Sequence, residues 1–136
     1  MNLREKDIYI SGIINMASYN MGPSDMKSAC YNKENYLEEF SKDYKLSKNK
    51  IALKEVKQDY KKRLQEALNI NDEAIKKLDY LITKETGSCI KTFEVTDETF
   101  NYLDNPKNYL PFFFLEDIFF IEFENMIICF MTGNFE

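Results

Sequence analysis

The sequence contains no histidine and no tryptophan, and only four glycines, three prolines and three cysteines among its 136 residues. Without an imidazole, every mechanism built on a histidine base, proton shuttle or metal ligand is excluded. The glycines, at Gly12, Gly22, Gly87 and Gly133, are too scattered to cradle a phosphate, and neither G-x-G-x-x-G nor G-x-x-x-x-G-K occurs. So little Gly and Pro also argues against a collagen-like repeat, a disordered tail or an interdomain linker. Cys30, Cys89 and Cys129 are odd in number and widely spaced, with no C-x-x-C pair. That pattern suggests neither a disulfide framework nor a zinc site, and it predicts a reducing, cytoplasmic setting. Cys129 falls in the apolar run 127–131, where a free thiol acts as a small hydrophobe.

What is present is apolar and charged in globular proportion: 44% hydrophobic, 15% aromatic and 30% charged in 16.2 kDa. A chain of this size, read as a single domain over 1–136, buries about two thirds of its unfolded surface. Residues 8–24 carry no charge, but Asn15, Asn20, Gly22 and Pro23 interrupt them, and Glu5 and Asp7 precede them. They read as neither a leader nor a membrane span. The C-terminal apolar stretch is cut by Glu116, Asp117, Glu122 and Glu124, which are costly in a bilayer. A soluble protein without cofactor or membrane partner is expected. The preference for Lys, Asn, Ile, Tyr and Phe points to an AT-rich genome, and a bacterial source is expected.

Charge is unevenly distributed within the net −5. Residues 42–63 hold nine basic and three acidic side chains, a balance of +6, whereas 97–136 hold eight acidic and one basic, a balance of −7. Two solvated faces of opposite sign follow, not the uniformly basic surface of a nucleic-acid binder.

Periodicity changes near Gly87. Before it the apolar spacing is mainly helical: over residues 6–20, with a strand as the competing reading around Ile8, Ile10, Ile13 and Ile14; over 33–44; over 50–68; and from Asn71 to about Thr86. Gly22-Pro23 ends the first helix and Ser24-Asp25 reads as the cap of a further one. In the 50–68 segment, Leu53, Val56, Tyr60, Leu64 and Ala67 make the apolar stripe, and Lys50, Lys54, Lys57 and Lys61 line one shoulder of it. Asn71 is the expected cap of the next helix, with Ile70 stapled to Ile75, and Gly87 the residue that ends it.

After Gly87, residues 89–95 read as a strand, Thr96-Asp97-Glu98 as the cap of a short helix reaching Leu103, and Asn105-Pro106 as a turn. Eight of the eleven phenylalanines lie between Phe112 and Phe135. A two-residue turn at Glu124-Asn125 pairs Phe123 with Met126, Ile121 with Ile128 and Phe119 with Phe130. All six then share one sheet face, and Ile118, Phe120, Ile127, Cys129 and Met131 occupy the other. A hairpin apolar on both faces must be covered twice, by the chain's helices or by a second subunit. The fold class is therefore α+β: N-terminal helices, about residues 6–86, packed on a small C-terminal antiparallel sheet with a Phe-rich hairpin.

Motifs with chemistry are sparse. Ser24 to Lys27 matches S-x-x-K, but Ser47 to Lys50 matches it too, and the K-T-G and S-D-N partners are missing. A cysteine nucleophile has no base to activate it, even at Cys30, which Tyr31 and Lys33 flank. Glu116, Asp117, Glu122 and Glu124 are the one dense carboxylate group beside apolar surface. Glu122, next to Phe120 and Ile127, is the candidate for a small-ligand or hydrolase-like site, against a bulge at Glu116-Asp117 and a charged sheet edge at Glu122. The lysine shoulder, with Lys62 and Arg63, is the candidate for phosphate contacts, against a solvated mixed-charge helix face. The leading expectation is a non-enzymatic interaction or regulatory protein, partnered by another protein or by itself as a homodimer through the β region. A nucleic-acid-associated regulator using Lys50, Lys54, Lys57 and Lys61, and a site around Glu122, Glu116 and Asp117, rank behind it.

Overall fold

A computed structural model describes residues 1–105 and 114–134. Along the chain lie α1 (Leu3–Ala17), β1 (Asp25–Tyr31), α2 (Tyr36–Asp43), β2 (Leu53–Val56), α3 (Tyr60–Leu68), α4 (Asp72–Thr86), β3 (Cys89–Val95), α5 (Asp97–Leu103), β4 (Phe114–Phe123) and β5 (Ile127–Asn134). Short 3₁₀ turns occupy Ser18–Met21 and Lys48–Lys50. The strands form one antiparallel sheet in the order β1-β5-β4-β3-β2, so the Phe-rich hairpin is central and the fold is α+β.

The hairpin takes the register its alternation predicts. Phe119 faces Phe130 and Ile121 faces Ile128, while the Phe123 amide donates to the Met126 carbonyl at 2.8 Å. On one face Phe119, Ile121, Phe123, Met126, Ile128 and Phe130 pack with Ile10 and Ile14 of α1, Leu64 and Leu68 of α3, and Ile75, Leu78 and Ile82 of α4. The opposite face joins Ile118, Phe120, Ile127, Cys129 and Met131 to Phe40 of α2 and Leu103 of α5. Helices of the same chain thus cover both faces, and the surplus apolar surface that invited a second subunit is buried internally.

The turn of the hairpin is seated on the corner between α4 and β3. Ser88 O accepts the Glu124 amide and Thr86 O accepts the Asn125 amide, both at 3.0 Å. Glu124 Oε1 returns a bond from the Ser88 amide at 2.7 Å, and that bond holds its carboxyl below the usual range. Gly87 makes the seat: at φ 79° it is left-handed, and a Cβ there would stand 2.8 Å from Glu124 Cβ.

Helix ends follow local chemistry. Asn2 and Glu5 form a reciprocal capping box on α1. Asn71 Oδ1 accepts the Ala74 amide at 2.8 Å, and Thr96 Oγ1 accepts the Thr99 amide at 3.3 Å. Residues 6–20 are mainly helix, as their Ile10/Ile14 spacing favours.

Two expectations fail. Residues 50–68 are not one helix: they run through a 3₁₀ turn, strand β2 and then α3, which starts at Tyr60 with Asp59 as its cap. Leu53 and Val56 belong to a strand held by non-local pairing, Leu53 opposite Val95 and Val56 opposite Thr92. Nor does Ser24-Asp25 cap a helix; Asp25 opens β1, which pairs with β5 from Asp25↔Gly133 to Tyr31↔Ile127. The region before Gly87 therefore supplies both edge strands as well as four helices. The expected turn at Asn105-Pro106, and Phe112 at the start of the aromatic run, reach outside the described residues.

Phe120 meets Phe40 edge-on at 5.3 Å between ring centroids and Tyr36 at 5.9 Å, with no exposure to solvent. Phe120→Ala should cost about 3–5 kcal/mol, a large part of the roughly 5–15 kcal/mol that holds a domain folded. Urea unfolding checks it: the midpoint should fall sharply while the slope stays unchanged.

Candidate functional site

The four lysines of the supposed basic shoulder are dispersed. Lys50 ends a 3₁₀ turn with its Nζ 5.3 Å from the Tyr102 ring centre; Lys54 lies on β2 opposite Glu94; Lys57 follows the strand; Lys61 is in the first turn of α3. No shared helix face aligns them, because residues 51–59 are not helical. Lys57 and Lys61, with Lys91, do line a cleft of about 590 Å³ between β2, α3, α4 and β3, but Glu55, Asp59 and Asp79 line it as well. Three cations against three carboxylates give no phosphate-seeking field.

The acidic candidates are also separated. Glu122 lies on central strand β4, between Lys91 and Ile127 in register, not near a sheet edge. It is half-buried, pairs with Lys33 Nζ at 3.0 Å and helps to raise the Tyr36 hydroxyl pKa after burial has done so. Lys33 also donates to Glu124 O at 3.3 Å, so this pair straps the hairpin tip. Glu116 and Asp117 sit at a β4 bulge, where the register with β5 shifts between Leu115 and Asp117. Glu116 accepts from Ser24 Oγ. Asp117 takes both oxygens to Arg63 Nη2, at 2.8 and 2.9 Å. Among the described residues, no group of three or more Cys, Asp or Glu could hold a metal ion.

Arg63, one of two arginines in the chain and expected among the phosphate contacts, is turned instead onto the sheet. Its guanidinium binds Glu94 of β3 and Asp117 of β4 and lies 4.5 Å from the Phe119 ring centre, with 11% of the side chain exposed. A single arginine in a run of lysines was the available signal, because only the planar fork can grip two carboxylates and stack at once. The cluster ties α3 to the sheet and engages both carboxylates with one guanidinium.

The sheet edges differ more usefully. On β1 the outward groups are those of Met26, Ser28 and Cys30. Asp25 Oδ1 accepts the Met26 amide at 2.8 Å, Ser28 O accepts Ser11 Oγ at 3.1 Å, and the Cys30 amide donates to Asp7 Oδ1 at 2.9 Å. Helix α1 therefore closes that edge with two side chains one turn apart. On β2 the Thr96 amide donates to Ala52 O at 3.0 Å, which makes Ala52–Thr96 a hydrogen-bonded pair. By the antiparallel alternation Lys54 and Val56 then point their peptide groups inward, and Leu53 and Glu55 point theirs outward. Among the described residues no hydrogen bond closes this outer row, and the 590 Å³ cleft lies beside it.

Cys30 and Cys129 are buried and Cys89 is exposed at the mouth of that cleft. Burial pushes Cys30 up to about 12, aided by Asp7, and holds Cys129 well above its ordinary value. Partial burial, then the Asp59 carboxylate, also raises Cys89. No thiol is activated as a nucleophile. Compared with family models, with curated proteins and with solved structures, the chain matches none.

Arg63→Ala strands two partly buried carboxylates and should cost about 2 kcal/mol, with Arg63→Lys recovering about half of it; thermal unfolding of the three proteins measures both. Iodoacetamide applied to the folded protein at pH 8 should modify Cys89 alone, slowly, and faster as pH rises through its elevated pKa. Mass spectrometry reads the site, and labelling of Cys30 or Cys129 before unfolding would contradict the burial assigned to them.

Proposed function

We propose that this protein is a non-enzymatic interaction protein that takes up an extended segment of a different protein by strand addition at β2, in a regulatory or assembly role. One observation carries the reading: the β1 edge is closed by α1, while β2 presents the outward peptide groups of Leu53 and Glu55 next to the cleft of about 590 Å³. Strand addition draws affinity from main-chain hydrogen bonds and selectivity from neighbouring pockets. Here the pocket offers Lys57, Lys61 and Lys91 beside Glu55, Asp59 and Asp79, which suits a partner segment carrying charges of both signs.

Symmetric pairing of two β2 strands is disfavoured. A twofold axis normal to a sheet keeps each residue on its own face, so some residue must stand opposite its own copy. The two registers of greatest overlap centre on Lys54 or on Glu55, opposing lysine to lysine or glutamate to glutamate. The homodimer expected through the β region is therefore not proposed at this edge. A cytoplasmic location is supported by three free thiols, two of them buried. Among the described residues, no helix is long and apolar enough to cross a membrane.

A displayed library of extended peptides, selected on the full chain, tests the reading. Selected peptides should shift the amide resonances of Leu53 and Glu55. Glu55→Pro removes an outward N–H without breaking a β2–β3 bond; it should weaken binding at least tenfold while the melting temperature holds. Equal binding by Glu55→Pro, or shifts confined to another surface, would overturn it.

A further inference from the structure

Asp7 and Ser11 are one turn apart on α1 and hold the outer edge of β1 through the Cys30 amide and the Ser28 carbonyl, at 2.9 and 3.1 Å. The strand behind this guard is self-complementary. With Ser28 opposite its own copy, the twofold register runs over all seven residues and sets Asp25 against Tyr31, Met26 against Cys30 and Lys27 against Ala29. It opposes no like charges, in contrast to β2, and Ser28 falls at an outward, hydrogen-bonding position, where such an axis passes.

We propose that the first turns of α1 act as a releasable guard on β1, and that their release lets β1 pair with β1 of a second copy around Ser28 to make one continuous sheet. The proposal is independent of strand addition at β2, which uses the opposite edge. The closed guard carries a built-in penalty. Asp7 faces the Asp43 carboxylate at the end of α2, the Tyr44 hydroxyl that follows it and the Cys30 thiol of β1, with Arg4 and Glu39 lining the same cleft and Lys6 adjacent on α1. Burial, joined by the Asp43 charge, disfavours the ionised carboxylate there and outweighs the Cys30 amide bond that favours it. An Asp whose folded pKa is raised destabilises the closed form when charged, so ionisation favours release and neutralisation favours closure.

Sedimentation across a concentration series reads the pairing. Ser11→Asp replaces a donor with an anion facing the Ser28 carbonyl and should dimerise at a concentration at least tenfold below wild type. Adding Ser28→Pro, which removes the central outward N–H, should restore the monomer. Asp7→Asn keeps an acceptor for the Cys30 amide without the charge and should dimerise less readily than wild type. A folded Ser11→Asp that stays monomeric, or a dimer that survives Ser28→Pro, would overturn the proposal. Hydrogen exchange of wild type keeps it testable if Ser11→Asp fails to fold. The Cys30 amide should exchange by a local opening, faster than the Ile128 and Phe130 amides of β5, and more slowly in Asp7→Asn; exchange of Cys30 only by global unfolding would equally overturn it.

Discussion

Everything in this structure depends on dehydrating both faces of the β4–β5 hairpin. Phe119, Ile121, Phe123, Ile128 and Phe130 are fully removed from solvent in one core, and Phe120 is equally buried in the other with Ile118, Ile127, Cys129 and Met131 around it. At about 25 cal/mol per Å² of apolar surface removed from water, their burial is a major stabilising contribution. A one-residue slip would exchange the two sets of side chains between the cores. The bulge at Glu116–Asp117 and the seating of the turn on Gly87 and Ser88 make the register unique from both ends.

The polar groups serve that arrangement. Arg63 fastens α3 over the hairpin by gripping one carboxylate on β3 and one on β4 while its flat face rests on Phe119. Lys33 does the same at the hairpin tip through Glu122 and the Glu124 carbonyl. Carboxylates that resemble an acid–base cluster in the sequence are thereby distributed among separate ion pairs. What stays open among the described residues is the outward main-chain row of β2, and the proposal of an interaction protein rests on it.

Much of this was legible beforehand. The hairpin register, strand 89–95, the caps at Asn71 and Thr96 and the stop at Gly87 each depend on a few neighbouring residues, and each stands where local chemistry puts it. The failures share one cause. Leu53 and Val56 are three residues apart, which a helical turn and a four-residue strand accommodate equally, and the lysines and glutamate around them favour a helix. Asp25 to Tyr31 contains no β-branched residue. Both segments are strands because β3 and β5 offer them hydrogen bonds across the sheet, a term that no local window contains.

The candidate sites show the same division. By itself the sequence determined which chemistries are closed to this protein, through the missing imidazole and glycine loop, and that its last quarter is apolar on both sides. Only the tertiary structure decided what covers that surface, where Arg63 reaches, and which sheet edge is guarded and which is open. Composition and short-range periodicity are properties of the chain. Edge exposure and ion pairing depend on which distant segments arrive side by side, and that is settled when the two hairpin faces are buried.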